Sequence, residues 1–104
     1  MRSALVMVAV MATVPATAIA QGRDRGATLA EHWCMGCHVI EPETRGAPPG
    51  RAPSFVAIAA RPGTTAQSVA LRLSTGHTNM PDFKLSRDES DDLVGYILSL
   101  RPRR

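Results

Sequence analysis

The sequence predicts an all-α domain of about four helices. Three observations predict it. Apolar residues recur at three- and four-residue spacing in several stretches, and no stretch alternates as a strand would. Two of these stretches are preceded by a Ser or Thr with Glu or Gln three positions later, the signature of a capped helix start. Proline and glycine cluster between the periodic stretches and rarely inside them. A chain of 104 residues has room for one such domain.

Taken in order, residues 1–20 read as a secretory leader ahead of a domain spanning 21–104. Arg2 supplies a positive start, Ala4 to Val14 is an uncharged apolar run, Pro15 breaks it, and Ala18-Ile19-Ala20 is a small-x-small cleavage site. The run is shorter than the roughly 20 apolar residues a membrane span needs, so no span is expected once the leader is removed. Gln21 to Asp24 reads as a loose arm. A first helix is expected from about Arg25 to Met35, with Gly26, Leu29, Ala30 and Trp33 on one face. Val39 to Ala52, holding Pro42, Gly46, Pro48, Pro49 and Gly50, reads as loop.

Ser54 is a good cap for a short helix carrying Phe55, Ile58 and Ala59, which Arg61-Pro62-Gly63 ends. A third helix should start near Thr64 or Thr65, with Thr64 and Gln67 as its capping box, and stop at Gly76. His77 to Leu85 reads as loop. The last helix opens on a capping box, Ser86 with Glu89, and repeats Leu93, Tyr96, Ile97 and Leu100 on one face. Its early acids and the late Arg101, Arg103 and Arg104 match the two ends of a helix dipole.

The chemistry-bearing motif is Cys34-Met35-Gly36-Cys37-His38, which holds the only two cysteines of the chain. C-x-x-C-H is the spacing for covalent attachment of a c-type haem. Two thiols one helical turn apart add across the two vinyl groups of a porphyrin, and the next residue falls beneath the iron. His38 is thereby the proximal ligand. Two cysteines in an exported chain more often pair as a disulfide, but so small a loop staples little. Aromatic residues are few, namely Trp33, Phe55, Phe83 and Tyr96. A domain this small, with so thin a core, needs a staple, and a covalently held haem provides one.

A second axial ligand must come from elsewhere. Met35 and His32 sit beside the attachment turn and cannot reach the far face. Met80 and His77 share the loop between the last two helices. Met80 is the preferred ligand, because Pro81 stiffens the backbone behind its thioether. His77 as ligand would give bis-histidine iron at a lower potential.

The net charge of +3 is mild, and eleven of the twelve basic residues are Arg, with Lys84 the exception. Nothing here is a nucleic-acid footprint. No nucleophile–base pair or carboxylate dyad suggests an enzyme. Asp88, Glu89, Asp91 and Asp92 are explained as the solvated start of a helix.

C-x-x-C-H behind an N-terminal helix, then Ala52-Pro53-Ser54-Phe55, then Met80-Pro81-Asp82-Phe83, then a capped helix with Leu93, Tyr96 and Ile97, resembles small class I bacterial cytochromes c. The likeness covers 21–104. It implies a cytochrome c-like fold of helices around one covalent haem c, with iron held by His38 and Met80. It implies a periplasmic carrier passing single electrons between redox proteins rather than an enzyme. The runner-up is a haem subunit of a larger periplasmic oxidoreductase, followed by a haem-based ligand sensor or weak peroxidase.

The resemblance also implies that Gly26 meets Tyr96 where the first and last helices cross, helped by Gly95. It implies that a proline carbonyl, of Pro53 or else Pro48 or Pro49, accepts the second ring N–H of His38. The chain departs from longer relatives in lacking a tryptophan for a haem propionate, a role left to Arg61, Arg72 or Ser74. It also lacks a ring of lysines for docking. Trp33 is expected either on the porphyrin or at the helix crossing.

Overall fold

The computed structural model describes residues 7–43, 52–77 and 79–103. These form four helices: α1 Ala16–Trp33, α2 Phe55–Ala60, α3 Ala66–Thr75 and α4 Arg87–Ser99. The only β-type pairing among the described residues is an isolated bridge between His77 and Met80. The all-α expectation and the number of helices hold. Pro42 lies in a bend, while Gly46, Pro48, Pro49 and Gly50 lie outside the described residues. No helix among the described residues is long and apolar enough to cross a membrane.

α4 organises the rest. Helices α1, α2 and α3 each pack against it, and none of the three packs on another. Its core face is Leu93, Val94 and Ile97, all buried. Ser86 and Glu89 cap it reciprocally: Ser86 Oγ accepts the Glu89 N–H at 3.1 Å, and Glu89 Oε2 accepts the Ser86 N–H at 2.8 Å. The periodicity and the box expected from the sequence are both present.

Helix α1 begins nine residues earlier than expected, at Ala16 rather than Arg25, and ends at Trp33. Nothing between Pro15 and Trp33 breaks a helix, and alanine favours one, so the winding runs through the expected loose arm and across Ala20. Against α4, Gly26 is buried at the crossing. A Cβ on Gly26 would lie 2.7 Å from Tyr96 Cβ and would collide with the Asp92 carbonyl. Only glycine allows this approach. Gly95 takes no part, since a Cβ there meets nothing within 4 Å. An ion pair supports the same crossing, with Arg25 Nε donating to Asp92 Oδ2 at 2.8 Å. Asp92 is therefore more than the solvated helix-start acid expected from sequence.

Helix α2 is capped as expected, Ser54 Oγ accepting the Ala57 N–H at 3.1 Å. In α3 the box is one residue later than expected: Thr65 and Ser68 bond reciprocally at 2.9 and 3.1 Å. Thr64 is drawn away because its hydroxyl donates to the Ile58 carbonyl at 2.8 Å, closing α2 instead. Gly76 terminates α3 with φ at 47°, where a side chain would be strained. Arg101 does more than complement a dipole. Its guanidinium donates to the carbonyls of Ala59, at 3.0 Å, and Thr64, at 2.9 Å, tying the end of the chain to α2.

Candidate functional site

The attachment motif is wound as a continuation of α1. The N–H groups of Cys34 and Met35 donate to the Ala30 carbonyl at 2.9 and 3.0 Å, and His38 N–H donates back to the Cys34 carbonyl at 2.9 Å. One helical turn therefore separates Cys34, which is buried, from Cys37, which is exposed, and no disulfide joins them. Burial first, and the neighbouring Cys37 second, push the Cys34 thiol up to about 11.

His38 is fixed from behind. Its Nδ1 lies 2.6 Å from the Pro53 carbonyl. A carbonyl only accepts, so Nδ1 carries the proton and Nε2 keeps its lone pair. Phe55 packs against the imidazole with ring centroids 5.4 Å apart. Two bonds hold the backbone after His38: Phe55 N–H to the Val39 carbonyl at 2.9 Å, and Tyr96 O–H to the Ile40 carbonyl at 2.7 Å. Pro53 thus fills the carbonyl role, and Pro48 and Pro49 lie outside the described residues.

These residues open onto a cleft of about 460 Å³, inside the range of roughly 300–1,000 Å³ typical of cofactor sites. Cys34 and His38 form one part of its lining. Phe55 and Ile58 come from α2, Val69 and Leu73 from α3, and Ile97 from α4, so apolar side chains make most of the wall. Met80 and His77 both reach it from the loop after α3. Arg61 and Arg72 also line it, and among the described lining residues there is no carboxylate. Ser74 does not belong to this cleft; its hydroxyl is turned to the Leu71 carbonyl at 3.0 Å.

Met80 sits in a tight turn. Its N–H donates to the His77 carbonyl at 2.7 Å, and His77 N–H returns to the Met80 carbonyl at 3.3 Å. Asn79 completes the turn with φ at 64°. Just beyond, the Lys84 N–H and then its ammonium hold the Asp82 carboxyl below the usual carboxylate range. Trp33 is not seated at the crossing of α1 and α4, where Gly26 meets Tyr96. It is half exposed and lies against Phe83.

The Tyr96 hydroxyl gives a test of this framework by pH. Burial first, then the carboxylates of Glu41 and Glu31, raise its pKa above the ordinary value of 10.0. The protonated form is favoured by folding, so its contribution is complete below about pH 10 and is lost as pH rises through the folded-state value. Tyr96 is the only tyrosine, so ultraviolet difference titration follows it alone. A phenolate midpoint above 10 is expected, and Tyr96→Phe should flatten the alkaline fall in stability at a cost of about 1 kcal/mol near neutrality. A midpoint at or below 10 would contradict the partial burial of the hydroxyl beside Glu41 and Glu31.

A covalent porphyrin asks for two thiols one turn apart, an imidazole lone pair beside them, apolar walls, and cations for two carboxylate arms. The described residues fit each demand. The Cytochrome c family model matches residues 23–101 of the chain. Cytochrome c-552 of Bradyrhizobium diazoefficiens is 38% identical over 96 residues, which cover 92% of this chain and 91% of that relative. No solved structure matches the chain. A match running from before the Gly26 crossing to Arg101, over a cleft with this set of donors, places the chain in the cytochrome c family, as an electron carrier with covalently attached haem c and its iron.

Proposed function

We propose that the protein is an exported, periplasmic carrier of single electrons, with one haem c on Cys34 and Cys37 and with His38 and Met80 as axial ligands. The observation that supports this most is one cleft lined both by His38, oriented by Pro53, and by Met80, from a turn far along the chain. Bound haem c supplies a one-electron iron couple. With Nδ1–H committed to Pro53, His38 keeps Nε2 free to ligate and gains basicity from the same bond. Met80 offers a neutral thioether, which favours the reduced metal and raises the potential. Phe55, Ile58, Val69 and Leu73 keep water out, and Arg61 and Arg72 are the cations available to the haem carboxylates. Partners on this reading are periplasmic redox proteins met briefly through small interfaces.

Residues 7–15 have no regular structure and are exposed, Met7 at 96% and Val10 at 88%. The fold makes no use of this apolar run, which supports 1–20 as a leader and 21–104 as the domain. Removal after Ala20 leaves Arg25, Gly26 and Ala30 in place on α4.

The test is Met80→Ala, recovered from the periplasm beside the wild type. The variant should keep covalent haem and lose the methionine–iron absorption band. Its potential should fall by on the order of 100 mV, within the roughly 0.8 V that axial ligands span. The reduced variant should bind carbon monoxide at neutral pH where the wild type does not. A variant that retains the band and the potential shows Met80 is not the ligand. Product confined to the cytoplasm contradicts export.

A further inference from the structure

One contact outside the site as described joins its two sides. Trp33, the last residue of α1 and the neighbour of Cys34, lies against Phe83, three residues after Met80. Their ring centroids are 5.4 Å apart and their planes are tilted by 46°. Helix packing does not make this connection, because α1 and α3 each pack on α4 and not on one another. Hydrogen bonds do not make it either. Among the described residues, those of 77–84 close within the segment itself, as the His77–Met80 pair and the Lys84 N–H to Asp82 bond at 2.9 Å.

Leu85 seats the far end of the segment on the core. The Met80 end is half-buried on the cleft. Lys84 holds φ at 54°, a conformation costly for a residue with a long side chain, while Asn79, at 64°, is of a type that adopts it more readily. Trp33 leaves 52% of its surface exposed, so it is not a core filler. Its aromatic partner is Phe83.

We propose that Trp33 and Phe83 form a clasp beside the cleft, which ties the Met80 turn to the thiol-bearing segment and slows the opening by which an outside ligand displaces Met80. This rests on the reading of Met80 as an axial ligand. Trp33 is a positioning residue: it acts through Phe83 on where Met80 is held. For an outside ligand to enter, Met80 and the residues after it up to Phe83 must swing away from their present place, and the two rings must part as they do. Removing either ring removes that share of the barrier, worth roughly three- to tenfold in rate for an aromatic pair.

The experiment measures imidazole association with the ferric, haem-loaded full chain. Wild type is compared with Trp33→Leu, Phe83→Leu, the double variant, Trp33→Phe and Met80→Ala. Each Leu variant should bind roughly three- to tenfold faster, and the double variant no faster than the quicker single, because both remove one contact. Trp33→Phe keeps a ring and should stay within about twofold of wild type. Trp33→Leu, at a half-exposed position, is the arm least able to disturb folding. Unchanged rates in both Leu variants, or a double variant at the product of the singles, overturn the clasp. A wild type that already binds imidazole as fast as Met80→Ala overturns the axial reading instead, and the clasp with it.

Discussion

A chain with both Cys34→Ser and Cys37→Ser is expected to emerge without covalent haem and without a cooperative melting transition. The reason lies in how little the helices bury by themselves. Among the described residues the buried apolar set is Ala30, Cys34, Ile40, Phe55, Ala59, Val69, Leu93, Val94 and Ile97, and only Ile40, Phe55, Leu93 and Ile97 of these are large. Each large aliphatic side chain buried this way contributes about 2 kcal/mol, against an ordering cost on the order of 1–2 kcal/mol for every residue fixed. Helices α1, α2 and α3 share α4 as their common support, and the space between their free sides is the cleft. Without a flat apolar body in that cleft, the half-buried Ile58 and Leu73 stay partly wet, and the cleft-facing edges of Phe55 and Val69 gain no partner. The loss should consume most of the 5–15 kcal/mol typical of a folded domain. An alkaline pyridine spectrum reads the missing thioethers, and a far-ultraviolet melt reads the missing cooperativity. Native helicity with a sharp transition in the double serine chain would show that the helices need no staple. The single Cys37→Ser variant keeps the buried thiol and should retain part of both signals.

How much of the fold and of the site is legible in the sequence depends on the range of each interaction. The attachment turn was legible because covalent chemistry sets its spacing: two thiols and an imidazole within five residues can serve one porphyrin. The start of α4 was legible because a capping box is local, and Ser86 and Glu89 satisfy each other without outside help. The box of α3 was displaced by one residue because both Thr64 and Thr65 carry a hydroxyl, and a contact made outside the helix, Thr64 to the Ile58 carbonyl, decides between them. The start of α1 was missed because an alanine-rich run after a proline suits a cleavable leader and a helix equally well. The long-range pairs, Trp33 with Phe83 and Arg101 with Ala59 and Thr64, leave no local pattern. Arg25 with Asp92 was partly accessible: Asp92 lies one turn before Tyr96 on α4, and Arg25 precedes Gly26. A crossing at Gly26 and Tyr96 therefore brings the two charges together.

That crossing supplies the second large effect. Gly26→Ala should destabilise the protein by about 2–3 kcal/mol, while Gly95→Ala should stabilise it by about 0.5–1 kcal/mol. Both replacements put the same methyl into a helix, and both gain the same intrinsic helix preference. They differ only in what the methyl meets. At Gly26 it would sit 2.7 Å from Tyr96 Cβ and strike the Asp92 carbonyl, and the latter is α4 backbone that cannot rotate aside. Relief requires α1 to move off α4. Such a shift would strain the Arg25–Asp92 pair at 2.8 Å and the Tyr96 bond to Ile40 at 2.7 Å, and the latter helps hold the backbone just after His38. At Gly95 the methyl enters open space. For a domain of this size, each kcal/mol moves the melting temperature by roughly 4–8 °C, so the two variants should separate by at least 10 °C. Equal melting temperatures would mean that α1 and α4 do not cross at Gly26. Because the strain is passed toward His38, Gly26→Ala should also disturb the haem absorption bands before unfolding, whereas Gly95→Ala should leave them unchanged.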